Sequence, residues 1–172
     1  MRAVIRAILP PAVVLGVIFG SLAFLSWLNG PQYPYGWSHC CIKCMGLALC
    51  NYADAHGRFF PAGEATPEAS LSLLYREGFI DAETLRGKTV PEDVVRAILE
   101  KGELLGPDTT GWHYVEGLTL NDDPRIAILW DKVGLSHNGA RLRGGGHEVL
   151  FVNGSSDYIR GKDWDTFLKE QE

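Results

Sequence analysis

Between Arg6 and Lys43 the chain has no Asp, Glu, Lys or Arg, and its first acidic residue is Asp54. No solvated helix is built from such a stretch. Twelve of the residues from Ile8 to Leu28 are Leu, Ile, Val or Phe, and only Ser21 and Ser26 bring hydroxyls. A helix over residues 11–28 rises about 27 Å, and one over 7–28 about 33 Å, against a hydrocarbon core of ~30 Å. The run therefore reads as a transmembrane anchor in contact with lipid over residues 7–28, with Pro10 and Pro11 near the helix start and Trp27 at the headgroup layer. Arg2 and Arg6 precede it, which places the N-terminus in the cytoplasm and the rest outside, as a single-pass inner-membrane protein. The alternative is a cleaved signal peptide, whose apolar region is usually only ~7–15 residues.

Basic residues are scarce beyond the run. Fourteen Lys and Arg, after Arg2 and Arg6 are set aside from 16, face 21 Asp and Glu, a balance of −7. That sign disfavours nucleic acid as a partner. Low-complexity tracts and internal repeats are lacking, as are Gly-x-Ser-x-Gly, His-Glu-x-x-His and calcium-loop patterns. Gly144-Gly-Gly146 has no Lys-Ser/Thr after it and reads as a hairpin approach, while Asp122-Asp123 before Pro124 reads as a turn. No catalytic residue, metal ligand or cofactor site emerges, and the chain is not expected to be an enzyme.

What is present is one domain's worth of patterned sequence. Residues 1–28 form the cytoplasmic stub and anchor. Residues 29–37, with two prolines and two glycines, form a linker. Residues 38–172 form the globular domain. A helix is expected over 38–56, with Ile42, Met45, Leu49, Tyr52 and Ala53 on one stripe and Gly57 as its stop. Thr66-Pro67-Glu68 announces a second helix ending at Gly78. A third runs over 91–101, with Thr89 and Glu92 spaced as a capping box and Val94, Val95, Ile98 and Leu99 on its buried side. Strands follow at 112–116, 125–130 and 147–152. Asn153-Gly154 turns the last of these into 155–160. A final amphipathic segment uses Trp164, Phe167 and Leu168. The order implies an α+β fold with an amphipathic helix packed on a small antiparallel sheet.

The four cysteines lie together at Cys40, Cys41, Cys44 and Cys50, near His39 and His56. Only one Cys-x-x-Cys occurs, so a tetrahedral zinc site lacks its second pair. Met45 stands where covalent haem attachment needs His. Two readings remain for Cys40, Cys41 and Cys44. They are buried small side chains and a structural disulfide, or Cys41 and Cys44 are a thiol-exchange pair. His113, His137 and His147 fall in the sheet region with Asp131 near, and read as hydrogen-bonded structural residues.

The segment from Cys44 to Ala62, with its Leu-Ala-Leu-Cys-Asn-Tyr helix leading into His56-Gly-Arg-Phe-Phe-Pro61, resembles bacterial pilin-like proteins related to the type II secretion major pseudopilins. Tyr114-Val-Glu-Gly-Leu-Thr119, Ile128-Leu-Trp-Asp-Lys132 and His137-Asn-Gly139 resemble that family's sheet region. Gly146-His-Glu-Val-Leu-Phe-Val-Asn-Gly154 resembles its closing hairpin. The resemblance implies a structural or interaction role with pilin-like partners, in type II secretion-like assemblies. The prepilin cleavage site and its glutamate are missing between Met1 and Leu28, and Asn153-Gly154-Ser155 replaces the family's Asp-Gly-His. These departures point to a tethered relative rather than a filament subunit. The alternative function is a tethered thiol-redox protein using Cys41 and Cys44.

Overall fold

A computed structural model describes residues 2–29, 42–135, 142 and 144–171, and divides the chain into two compact units, 1–30 and 31–172. The first unit is a single helix, α1 (Arg2–Asn29). Pro10 and Pro11 lie inside it rather than at its start, where each removes a ladder hydrogen bond. Its described large apolar side chains, from Val13 to Leu28, are exposed, with Phe24 and Trp27 stacked at 6.0 Å. Among the described residues no helix is long and apolar enough to cross a membrane. This corrects the expected transmembrane anchor at 7–28, and with it the single-pass inner-membrane placement. The expected linker falls almost wholly outside the described residues.

The second unit is α+β. It opens with α2 (Ile42–Ala55), whose expected stripe residues Ile42, Met45, Leu49, Tyr52 and Ala53 are all buried. The expected start near Ser38 lies outside the described residues. Gly57 takes φ +64° and Arg58 φ +79°, and the Arg58 amide donates to the Ala53 carbonyl, which ends the helix.

The expected helix after Thr66 is two short pieces, α3 (Pro67–Ser70) and α4 (Ser72–Arg76). Thr66 caps the first as its spacing implied, accepting from the Ala69 amide. The break at Leu71 falls between two serines bonded elsewhere. Ser70 Oγ donates to Glu116, and Ser72 Oγ accepts from the Leu105 amide. A further helix, α5 (Ala82–Leu85), is capped by Asp81, which accepts from the Thr84 amide and hydroxyl. In α6 (Glu92–Glu100) the cap position is Pro91, which has no side chain to bond, so the Thr89–Glu92 capping box does not form. Val95 and Leu99 are buried, whereas Val94 is exposed, contrary to expectation. Val94 sits beside Asp93 on the outward arc of a single-turn-wide stripe.

Four strands, β1 (Trp112–Tyr114), β2 (Ala127–Asp131), β3 (Gly146–Phe151) and β4 (Ser156–Arg160), form an antiparallel sheet in sequence order. Trp112 pairs with Asp131 and Tyr114 with Leu129, and Leu129 pairs in turn with Leu150. The Asn153-Gly154 turn joins β3 to β4, with Gly154 at φ +78° and Asn153 Oδ1 accepting from the Ser155 amide. A register shift between Ala127 and Leu129 breaks the alternation in β2. It sends Ile128 and Leu129 into one core while Ala127 and Trp130 enter another. The first and larger core joins α2, α4, α5 and α6 to Trp112, Tyr114, Leu129 and Leu150. The second lies under α7 (Gly161–Glu170), where Trp164, Phe167 and Leu168 recur at helical spacing. Each large aromatic of β1 is pinned by its polar atom. Trp112 Nε1 donates to the Thr84 carbonyl and Tyr114 Oη to the Pro61 carbonyl, both at 2.8 Å.

Candidate functional site

Of the sequence-selected cysteines, Cys44 is exposed on α2, and Cys40 and Cys41 lie outside the described residues. Cys50 is half-buried, about 120° around the helix from Cys44. Burial, then the Asp54 charge, push its thiol up, with Arg58 opposing them. That raises the cost of a thiolate there and makes Cys50 a poor nucleophile near neutral pH. Among the described residues no group of three or more His, Cys, Asp or Glu is arranged to hold a metal. His39 and His137 lie outside the described residues, and His56 stacks on Tyr52 with ring centroids 3.9 Å apart.

The most concentrated chemistry lies on the larger core's side of the sheet. In a strand, residues two apart share a face, so Asp131 follows Leu129 inward and ends 1 % exposed. Lys88 reaches it from the chain just after α5. The Gly87 backbone, at φ +67°, lies against that of Gly111, where an added Cβ would stand 2.6 Å from the Gly111 Cα. The Gly111 amide donates to the Arg86 carbonyl, and the Thr110 hydroxyl to the Leu85 carbonyl. This close approach carries Lys88 under the sheet. Its Nζ donates to Asp131 Oδ2 at 2.8 Å, to Glu148 Oε2 at 2.6 Å and to the Leu135 carbonyl at 3.1 Å. The Lys88 side chain is 1 % exposed and that of Asp131 2 %, against 28 % for Glu148.

One cation is thus set between two carboxylates. Burial pulls the Lys88 ammonium down, but the charges and hydrogen bonds of Asp131 and Glu148 outweigh it and the net shift is upward. Burial pushes Asp131 up to about 7, against the pull of Lys88. Asp131 Oδ1 is buried and has no hydrogen-bond partner among the described residues. Sequence reasoning passed over Lys88 and Glu148 and noted Asp131 only as a neighbour of histidines. The one available signal was period two, since an acid two residues after Leu129 continues an inward face.

Gly87 gives a direct check on how Lys88 is placed. Gly87→Ala should cost about 2–4 kcal/mol, from left-handed strain plus a forced shift of the Gly111 backbone. A urea midpoint equal to that of the wild type contradicts the close approach.

The opposite face carries a cavity of about 620 Å³ between β1, β2 and α7, lined by His113, Trp130, Lys132, His147, Trp164 and Gln171 among others. His113 lies over Trp130 at 4.4 Å, His147 over Trp164 at 4.0 Å, and the two tryptophans meet edge to face at 6.0 Å. The polar rim is already engaged. Lys132 Nζ reaches Glu68 Oε1 at 3.3 Å and the Thr110 carbonyl at 3.3 Å, and Gln171 Oε1 accepts from the Ala127 amide. His147 Nδ1 lies 2.6 Å from the Asp131 carbonyl. A carbonyl only accepts, so that nitrogen carries the proton.

Burial is the main cause that pulls both His113 and His147 below the ordinary histidine value. The unfolded chain therefore binds these protons at a higher pH than the native one. The contribution of these histidines to stability is therefore lost as pH drops below about 6.5, until the folded histidines protonate, while Asp131, raised to about 7 in the fold, gains stability over the same range. Urea midpoints at pH 5 and 7 check this. Relative to wild type, His147→Phe should gain stability on going from pH 7 to pH 5, and an identical pH response in that variant removes His147 from the account.

Structural histidines are what the sequence implied for His113 and His147, and both are hydrogen-bonded or stacked here. Compared with family models, with curated proteins and with solved structures, the chain matches none.

Proposed function

We propose that the second unit is a pilin-like or pseudopilin-like interaction module, acting by binding other pilin-like proteins rather than by catalysis. One observation carries this reading. Helix α2 packs on β3 of the four-stranded antiparallel sheet and leads into the His56–Pro61 turn, and Gly46 lets the β3–β4 hairpin close against it. A Cβ at Gly46 would come 2.8 Å from Leu150 Cδ1. That arrangement agrees with what the resemblance of residues 44–62 and 146–154 implies. The outward arc of α2 carries Lys43, Cys44, Leu47, Asn51 and Asp54, and Phe59 follows it, so Leu47 and Phe59 are large apolar groups left in water.

The test is association of the full chain with pilin-like proteins of the same genome, measured by two-hybrid assay and then by titration. Leu47→Asp with Phe59→Asp should weaken binding at least about tenfold, the loss of a modest hot spot. No association with any pilin-like protein, or association indifferent to both substitutions, sinks the reading. The exposure of Cys44 supports a second one, a thiol-redox protein working through Cys41 and Cys44. Alkylation of the native chain before and after mild reduction decides it, because an unchanged count of reactive thiols leaves no exchangeable pair.

A further inference from the structure

An amine hydrogen-bonded to a carboxyl group is one dehydration away from an amide. The two rarely join in water, because the amine is protonated, the carboxyl ionised, and the partners seldom meet in line. Two of these obstacles, the ionised carboxyl and the chance meeting, are reduced around Lys88, and a neighbouring base stands ready for the third. The amine is held 2.8 Å from an oxygen of the carboxyl, at the end of a chain segment locked by the Gly87–Gly111 contact. Such fixed placement is equivalent to roughly 10⁵–10⁸ M of nucleophile. Both side chains are almost fully buried, so bulk water does not compete for the carbonyl carbon.

Asp131 is also prepared as an electrophile. A carboxylate resists attack and a neutral acid accepts it. Burial holds this carboxyl up to about 7 against the pull of Lys88 and of the Glu148 backbone, and its Oδ1 is buried without a hydrogen-bond partner among the described residues. Glu148 supplies the base, with Oε2 2.6 Å from the same nitrogen. Being partly exposed, it can exchange protons with solvent. The ammonium is the favoured form of Lys88, so the reactive amine appears only as Glu148 takes its proton. That suits a slow, single maturation step rather than turnover.

We propose that Lys88 Nζ and Asp131 Cγ condense into an intramolecular amide, with Glu148 carrying the proton. Glu148 removes a proton from Lys88 Nζ, and the freed lone pair attacks Cγ of the neutral carboxyl. The tetrahedral adduct then collapses as Glu148 returns that proton to the departing hydroxyl, and the remaining excess proton on the nitrogen passes to Glu148 and from its partly exposed side chain to solvent. One C–N bond forms, one C–O bond breaks, one water and one proton leave, and nothing is oxidised or reduced. The product replaces a buried cation and its carboxyl partner with one neutral group. Its N–H keeps either Glu148 or the Leu135 carbonyl as acceptor. It ties the chain after α5 to β2 across 43 residues of sequence.

Peptide mapping of the folded full chain tests this. Trypsin does not cut at an acylated lysine, so residues 87–96 should appear joined to residues 126–132, at the summed mass less one water. Glu148→Gln is nearly isosteric at a partly exposed position. It should fold, as judged by circular dichroism, and give the two segments unjoined, with cleavage after Lys88. Asp131→Ala should do the same. Cleavage after Lys88 in the folded wild type overturns the amide. A joined peptide in Glu148→Gln keeps the bond and overturns the role given to Glu148.

Discussion

Replacing Lys88 by methionine should destabilise the second unit by about 3–5 kcal/mol, the cost of removing one partner from a buried ion pair. For a unit of this size that corresponds to a fall in melting temperature of about 10–20 °C. Methionine fills nearly the same volume, so the loss is not a cavity effect. It arises because Asp131 is left in the core without Lys88 and with Oδ1 already unpartnered among the described residues. The side chain of Glu148, 28 % exposed, can turn toward water, whereas that of Asp131, at 2 %, cannot. A second substitution, Asp131→Leu on the Lys88→Met background, should therefore recover part of the loss, because it removes the stranded group. The same double change at Glu148 should recover little. The destabilisation is expected whether Lys88 is held by charge or by an amide, since methionine supports neither. Thermal melts of the four proteins check the set. A Lys88→Met protein that melts within a few degrees of wild type contradicts the cluster's place in the fold.

The elements most legible in the sequence were those where one local pattern and one tertiary demand agree. The 3.6-residue stripe of α2 is buried residue for residue, because a single helix face meets a single core. Thr66-Pro67-Glu68 placed a helix start correctly for the same reason, as cap chemistry is decided within four residues. Asn153-Gly154 placed the hairpin, since few residues other than glycine and asparagine tolerate its backbone. Where distant partners decide, the pattern was silent or misleading. Serines 70 and 72 look like ordinary helix surface until Glu116 and Leu105 claim their hydroxyls. The capping box at Thr89 and Glu92 had the right spacing, yet Pro91 took the cap position. The apolar run near the N-terminus suggested a span by composition, but the described helix does not meet the length and apolarity that a span requires. Lys88, Asp131 and Glu148 were hardest to see. They come from three separate segments, and only the contact between Gly87 and Gly111 brings the lysine to the other two.

Leu49 and Leu47 form the sharpest contrast that α2 offers. They sit two residues apart, about 200° around the helix, and are 1 % and 66 % exposed. Leu49→Asp removes a buried leucine, worth about 2–5 kcal/mol when truncated. It also leaves a carboxylate among Met45, Tyr52 and the other apolar side chains of the first core, where an unpaired ion costs several kcal/mol more. The sum is comparable with the whole stability of an ordinary domain, about 5–15 kcal/mol. Most of the second unit should therefore be unfolded at room temperature, with a collapsed proton spectrum and no cooperative melt. Leu47→Asp places the same charge in water and should shift stability by no more than about 0.5 kcal/mol. The pair separates burial from composition, because both proteins have the same amino-acid content and the same helix propensity change. If Leu49→Asp melts cooperatively near the wild-type temperature, α2 is not the helix on which this sheet is built, and the pilin-like reading loses the element that supports it.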